Sequence, residues 1–209
     1  TVVFDKTGTL TKGVFAVDDV HPNLISAAEL LDVAACCESF SSHPVAQSIV
    51  RAHEGHIDKS QIGEVSEIAG KGVKAVVNGK TYYCGNGQLM QHCGADWHDC
   101  HLTGTIIHVA REDDGKVDYL GHIVINDQIK EDSEAAIKEL KKVGVKRLVM
   151  LTGDKQSVAE NVANKLGLTG FFAELLPADK VSRVEELLAS EKGRLAFVGD
   201  GINDAPVLM

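Results

Sequence analysis

The chain has 209 residues, 44% of them hydrophobic and 24% charged, with a formal net charge of -9. That is globular composition, with room for one large core or two small ones. The negative balance argues against a nucleic-acid or anionic-membrane surface, and no apolar run approaches the roughly 20 residues of a membrane helix.

The sequence opens on Val2-Val3-Phe4, an apolar run ending in Asp5, the pattern of a buried strand that delivers a carboxylate at its C-terminal end. Residues 13–20 predict a second strand leading to a turn at His21-Pro22. Asn23 is expected to cap a long helix to about Ser39, with Leu24, Ala27, Ala28, Leu31, Ala34 and Ala35 at helical spacing. Ser42-His43-Pro44 starts another helix, with Pro44 in its first turn. Two hairpins follow: residues 73–77 and 80–84 flank Asn78-Gly79, and residues 105–111 and 117–124 flank Asp113-Asp114-Gly115. After about Asp127 the pattern alternates: helix 131–143, strand 147–151, helix 157–166, a short strand at Phe171-Phe172, helix 178–189 and strand 195–198. That is βαβ grammar with a parallel sheet. An antiparallel middle, residues 18–122, is inserted between residues 1–17 and 123–209. Cys36, Cys37, Cys84, Cys93 and Cys100 have no disulfide framework spacing and read as reduced thiols. The opening at Thr1 and the abrupt end at Met209 suggest a piece of a longer protein.

Open α/β sheets bind their ligands beyond the carboxyl ends of the strands. Those ends carry Asp5, then Thr152-Gly153-Asp154, then Gly199-Asp200-Gly201 with Asn203 and Asp204, and Lys180 lies near the start of a helix between the last two. Asp5 suits a nucleophile, and Asp200 and Asp204 are hard oxygen ligands for Mg²⁺. Thr152 and nearby backbone N–H groups suit phosphate oxygens, and Lys180 supplies the positive charge that lets carboxylates coexist beside a phosphate. Any one of these alone is an ordinary cap or turn residue. At three successive strand ends of one sheet they point to phosphoryl transfer, which needs positioning and charge neutralisation.

Asp5 to Thr11 reads DKTGTLT, and the chain here resembles the P-type ATPases, whose phosphorylation signature these seven consecutive residues match. Thr152-Gly153-Asp154 and the segment from Gly199 to Pro206 match the family's TGD and GDGxNDxP motifs in order, and Asp127 and Lys130 fall at its hinge Asp and basic partner. The resemblance implies a haloacid-dehalogenase-like phosphorylation domain interrupted by an inserted α+β nucleotide-binding domain. It also implies an aspartyl phosphate at Asp5, Mg²⁺ held by Asp5, Asp200 and the Thr7 carbonyl with support from Asp204, and Thr152, Asp154 and Lys180 as further catalytic residues. Simple phosphatases of that superfamily place a second Asp two residues after the nucleophile; here the position is Thr7, which implies a long-lived phosphoenzyme.

Ser42-His43-Pro44 resembles the HP motif of the heavy-metal branch, where the His helps place adenine. Glu38, the Gly70-Lys71-Gly72 turn and the Gly85-Asn86 pair match that branch's other nucleotide contacts. The glycines suit close backbone approach to a ligand. The implied protein is the ATP-binding, autophosphorylating unit of a cation exporter, with the sequence nearer zinc, cadmium and lead exporters than copper ones. The fragment is then a monomeric cytosolic part of an integral membrane protein, whose transmembrane and actuator domains lie elsewhere in the polypeptide. In the family, closure of the inserted domain carries the γ-phosphate to the aspartate. Two other readings stand beside it: a soluble phosphatase with a cap domain, which Thr7 disfavours, and a non-catalytic nucleotide- or metal-binding module. The stretch His92-Cys93 to His98-Asp99-Cys100-His101 bears on the latter, since it carries both ligand types that Zn²⁺ prefers, at a spacing that fits no standard finger and in a segment read as loop.

Overall fold

The computed structural model describes residues 1–190 and 193–200. The chain divides into two compact units, one formed by Thr1–Val14 with Asp127–Met209 and the other by Phe15–Asn126. The inserted unit therefore takes in a little more of the chain at each side than residues 18–122.

In the first unit a parallel four-stranded sheet has the order β10-β1-β8-β9, with β1 (Val2–Asp5), β8 (Leu148–Leu151), β9 (Gly170–Phe172) and β10 (Ala196–Val198). The strands are apolar on both faces because both faces are covered. Phe4, Leu148 and Met150 pack against Ile137 of α4 (Ser133–Lys142) and Ala159, Val162, Ala163 and Leu166 of α5 (Gln156–Leu166). The alternate residues Val3, Val149 and Leu151 pack on the opposite face against Val184 and Leu187 of α6 (Pro177–Ser190). The period of two in each strand thus sorts side chains between two helix layers.

The second unit is built on a six-stranded sheet in the order β2-β7-β6-β5-β4-β3: β2 (Thr11–Pro22), β3 (Ile62–Ile68), β4 (Gly72–Val77), β5 (Lys80–Gly85), β6 (Thr105–Asp113) and β7 (Lys116–Ile129). The pairs from β3 to β7 are antiparallel. One face packs against α1 (Ala27–Glu38) and α2 (Pro44–Ala52) through Leu30, Ala34, Ile49, Ala75, Val109 and Ile123. The other is covered by α3 (Gly87–Cys93), where Leu89 and Met90 meet Tyr83, Ala110 and Tyr119.

Both expected hairpins form, with Asn78 at φ 52 and Asp114 at φ 49 in left-handed turn positions. Three expectations need correction. Ser26, and not Asn23, caps α1: its side chain accepts from the Glu29 amide while Glu29 accepts from the Ser26 amide, a capping box. Asn23 instead reaches across to β7, its amide N and Nδ2 donating to the carbonyls of Leu120 and Tyr119. Strand β3 was not expected, because its pattern of small and charged residues lacks clean alternation. Helix α3 was not expected either; it places His92 and Cys93 on a helix rather than a loop.

Candidate functional site

Asp5 ends β1, a central strand of the first sheet, and its side chain is 2% exposed. Thr152 and Asp200 follow the ends of the neighbouring strands β8 and β10. Parallel pairing therefore sets three polar strand ends side by side at one edge, the place where such sheets bind ligands. Lys180, one turn into α6, forms an ion pair through Nζ with Asp5 Oδ1. A buried carboxylate needs such a partner to stay ionised.

The Lys6–Leu10 segment then turns sharply at Gly8, φ 79. A Cβ built on Gly8 would stand 2.7 Å from Asp200 Oδ2, so only glycine leaves space for the Asp200 carboxylate against this turn. Lys130 Nζ donates to the Gly8 carbonyl at 2.6 Å, and Ser133 Oγ donates to that of Leu10 at 2.9 Å. Asp127 Oδ2 receives Lys6 Nζ at 3.1 Å and the Thr11 hydroxyl at 2.6 Å. Asp127 and Lys130 thus brace the segment after Asp5. Thr152 Oγ1 accepts from the Asp154 amide and donates to Asp154 Oδ2, both at 3.1 Å, closing the turn after β8. Thr7 is exposed, where a general-acid aspartate of a simple phosphatase would stand. Asp204 lies outside the described residues.

Sequence reasoning missed Lys6. Its ammonium sits between Asp127 at 3.1 Å and Asp154 at 2.9 Å, with the side chain only 5% exposed. The signal was present: a lysine directly after the aspartate that ends a buried strand needs carboxylates around it if it is buried too.

In the second unit Gly72 and Gly85 face each other across β4 and β5. A Cβ on Gly72 would lie 2.2 Å from the Cys84 carbonyl oxygen, and one on Gly85 would lie 2.1 Å from that of Lys71. Both glycines are therefore needed for the approach of two backbones. Asn86 locks the same edge: Nδ2 donates to the Gly70 carbonyl at 2.9 Å, while Oδ1 caps α3 by accepting from the Leu89 amide. Gly70, at φ 70, has open space around its α-carbon. Glu38, at the end of α1, is 7% exposed beside Cys84. Burial pushes its carboxyl up to about 7, with Glu67 pushing the same way and the Cys84 hydrogen bond pulling down. His43 caps α2, its Nδ1 accepting from the Val45 amide at 3.2 Å, and its ring is exposed. The structure thus joins Gly70, Gly72, Gly85 and Asn86 in one hydrogen-bonded edge, and presents an exposed His43 at a helix start. Among the described residues no three His, Cys, Asp or Glu side chains converge as a metal site.

The profile of the haloacid dehalogenase-like hydrolases matches residues 1–208. The chain belongs to the haloacid dehalogenase-like hydrolase family. This hydrolase-family chain is 50% identical over 210 residues to a zinc-transporting ATPase of Synechocystis sp., covering 100% of the chain and 29% of that protein. It is 44% identical over 211 residues to a cadmium, zinc and cobalt-transporting ATPase of Bacillus subtilis, covering 99% of the chain and 29% of that protein. The chain therefore spans less than a third of the length of these relatives. Among solved structures it matches a zinc-transporting PIB-type ATPase in the E2.Pi state with a TM-score of 0.82 and 39% identity, over 99% of this chain and 34% of that one. It also matches the catalytic domain of a CPx-ATPase with a TM-score of 0.69 and 26% identity, over 99% and 73% of the two chains. The α/β fold expected from the sequence, a parallel sheet interrupted by an antiparallel one, is the fold observed. Among the described residues no helix is long and apolar enough to cross a membrane.

Proposed function

We propose that the chain is the nucleotide-binding and phosphorylated catalytic part of a P-type ATPase that transports a heavy-metal cation, Zn²⁺ or Cd²⁺ rather than Cu⁺. The observation that carries this reading is Asp5: buried at the tip of a central strand, charge-paired with Lys180, and opening the DKTGTLT segment. A carboxylate oxygen of Asp5 attacks the γ-phosphorus of ATP, the bond to the bridging oxygen of ADP breaks, and an aspartyl phosphate remains. Lys180 and Thr152 stabilise the charge on the transferred group. The exposed Thr7 leaves no second carboxylate to activate water, which favours a lasting intermediate.

The donors present fit Mg²⁺. Asp200 Oδ2 lies against the Gly8 turn and Asp5 stands at the root of the same segment. Mg²⁺ takes one or two carboxylates and completes its shell with waters and substrate phosphates, so a ready cluster of three acids is not required. Asp5, Asp200 and the Thr7 carbonyl would hold it, with Asp204 in support. Bound there it would supply charge neutralisation for the nucleotide's phosphates.

The Gly70–Gly72 turn, the Gly85-Asn86 pair, Glu38 and His43 bind the adenosine end of ATP, and the segments around Asp127 and Lys130 act as hinge residues. Membrane-spanning and actuator parts of the same polypeptide complete the transporter, which places this unit on the cytosolic side of a membrane. The full-length polypeptide incubated with γ-phosphate-labelled ATP and Mg²⁺ should give an acid-stable, hydroxylamine-sensitive phosphoprotein, abolished in Asp5→Asn. Label persisting in that variant contradicts the proposal.

A further inference from the structure

The inserted unit buries histidines that none of this chemistry uses. Tyr119 stands between two of them: its hydroxyl lies 2.9 Å from His108 Nδ1 and 3.0 Å from His122 Nδ1. The fold is arranged to bring them together. His108 of β6 pairs in register with His122 of β7, and a bulge at Leu120 puts Tyr119 on the same side of the strand. Gly121, at φ 133, lets β2 press close: a Cβ there would lie 2.3 Å from the His21 carbonyl oxygen. The His21 ring consequently stacks on that of His122 with centroids 4.8 Å apart. Residues 95–104, which form neither helix nor strand, are seated on the same rings through two side chains. Trp97 stands edge-on to His108 with centroids 4.8 Å apart, and His98 edge-on to Tyr119 at 5.5 Å and to His122 at 5.8 Å.

This chain of hydrogen bonds has a fixed number of protons. The tyrosine hydroxyl carries one, so it donates to one imidazole and accepts Nδ1–H from the other. A proton added at Nδ1 of the ring that accepts would set N–H against O–H and break that bond. His122 offers no better place for it. Its Nε2 is buried with no hydrogen-bond partner among the described residues, and the residue is 4% exposed. The ring stacked on it is another imidazole, and charge on both would repel. His108 is equally enclosed, its ring 5.6 Å from that of His122. The other titratable groups around these rings are Asp19 and His21 from β2, and His98, Asp99, Cys100 and His101 from residues 95–104. Both carboxylates are exposed, so water weakens their hold on a buried imidazolium. Apolar side chains would fill this space without leaving a buried nitrogen unsatisfied; imidazoles add a response to acid.

We propose that the His108–Tyr119–His122 chain is an acid-operated latch: when its imidazoles take up a further proton, residues 95–104 come off the sheet while the strands beneath keep their pairing. A cavity of about 210 Å³ beside Tyr119 and His122 gives water, and with it the proton, a way in. Burial, then His122, lowers the His108 imidazolium from its ordinary 6.5 to about 4, with His98 adding to the effect and Asp99 opposing it. Burial, then His21, His98 and His101, lowers that of His122 as well, against Asp19. Release of the segment returns both rings to water and to ordinary basicity, so the open form binds protons more tightly than the closed one. The closed form is therefore fully favoured above about 6.5 and loses ground as the pH falls toward about 4.

Trp97 is the only tryptophan of the chain, so its emission reports on this segment alone. The test follows Trp97 fluorescence and residue-resolved hydrogen-exchange protection of the 209-residue chain from about pH 8 to about pH 4, with the His108 and His122 rings followed by NMR. The expected result is a reversible change in emission between about 6.5 and about 4, with loss of protection confined to residues 95–104 and both rings titrating below the ordinary imidazole range. The paired His108→Asn, His122→Gln variant should keep the segment protected at about pH 5, whereas His92→Gln, on α3, should respond as the parent does. The parent's exchange and ring titrations decide the matter even where the paired variant does not fold. Rings that titrate as free imidazoles, emission that changes with no loss of protection in residues 95–104, an equal response in the paired variant, or protection lost through β6 and β7 at the same pH would each overturn the assignment. None of these readouts involves ATP or Asp5, so they are independent of the phosphorylation reaction.

Discussion

Near Asp5 the first unit keeps lysines inside its fold: Lys180 on Asp5, Lys6 between Asp127 and Asp154, and half-buried Lys130 on the Gly8 carbonyl. Along the Gly72–Gly85 edge of the second unit, the decisive feature is side chains that are absent. Glu38 is the only Asp, Glu, Lys or Arg among its described residues classed as buried. The difference matches the two tasks proposed for these edges. A site that handles transferred charge must hold counter-charges at fixed places, and each buried charge must itself be paired. A site that holds a neutral ring system needs backbone brought close and space left beside it, which glycines supply.

Two substitutions break this comparison in opposite directions. Lys6→Met should leave Asp127 buried without its cation and cost about 3 kcal/mol, the largest effect expected outside the Asp5–Lys180 pair. Residue-resolved hydrogen exchange should show faster exchange in β1 and β8 and unchanged protection in β4 and β5. Gly85→Ala should do the reverse. Its Cβ meets the Lys71 carbonyl oxygen at 2.1 Å, and forcing β4 and β5 apart should cost about 2 kcal/mol. Exchange there should accelerate while β1 stays protected. Loss of protection in both units from either change would mean that the two edges do not rest on separate supports.

The smallest effect sharpens the comparison through pH. The Glu38 carboxyl is raised from its ordinary 4.5 to about 7 in the folded chain, chiefly by burial. The folded state therefore holds this proton more tightly than the unfolded one, and stability from this group is fully present below about 4.5 and lost as pH rises to about 7. Glu38→Gln should flatten that part of the stability profile, leaving the variant more stable at pH 8 by about 1–2 kcal/mol. Chemical denaturation at pH 5 and pH 8 measures both ends. Equal pH dependence in the two proteins would remove Glu38 as the source.

The strand-end residues of the first unit were legible because each sits in a short motif directly after an apolar run, and parallel pairing does the rest. Lys6 escaped because its partners, Asp127 and Asp154, are far along the chain and become neighbours only through the fold. In the second unit the hairpins were marked by Asn-Gly and Asp-Gly turns. Strand β3 and helix α3 carried no such mark: β3 is half polar, and α3 is a short helix whose start depends on Asn86. Asn23 and Ser26 are both good capping residues, and only the Glu three positions after Ser26 separates them.

The most direct measurement takes the phosphorylated full-length polypeptide, reduces it with borohydride, and maps the modified residue by mass spectrometry. An acyl phosphate on Asp5 is converted to homoserine, so a homoserine at position 5 is the predicted result. Unmodified Asp5, with the label or its reduction product at any other residue, would contradict the account.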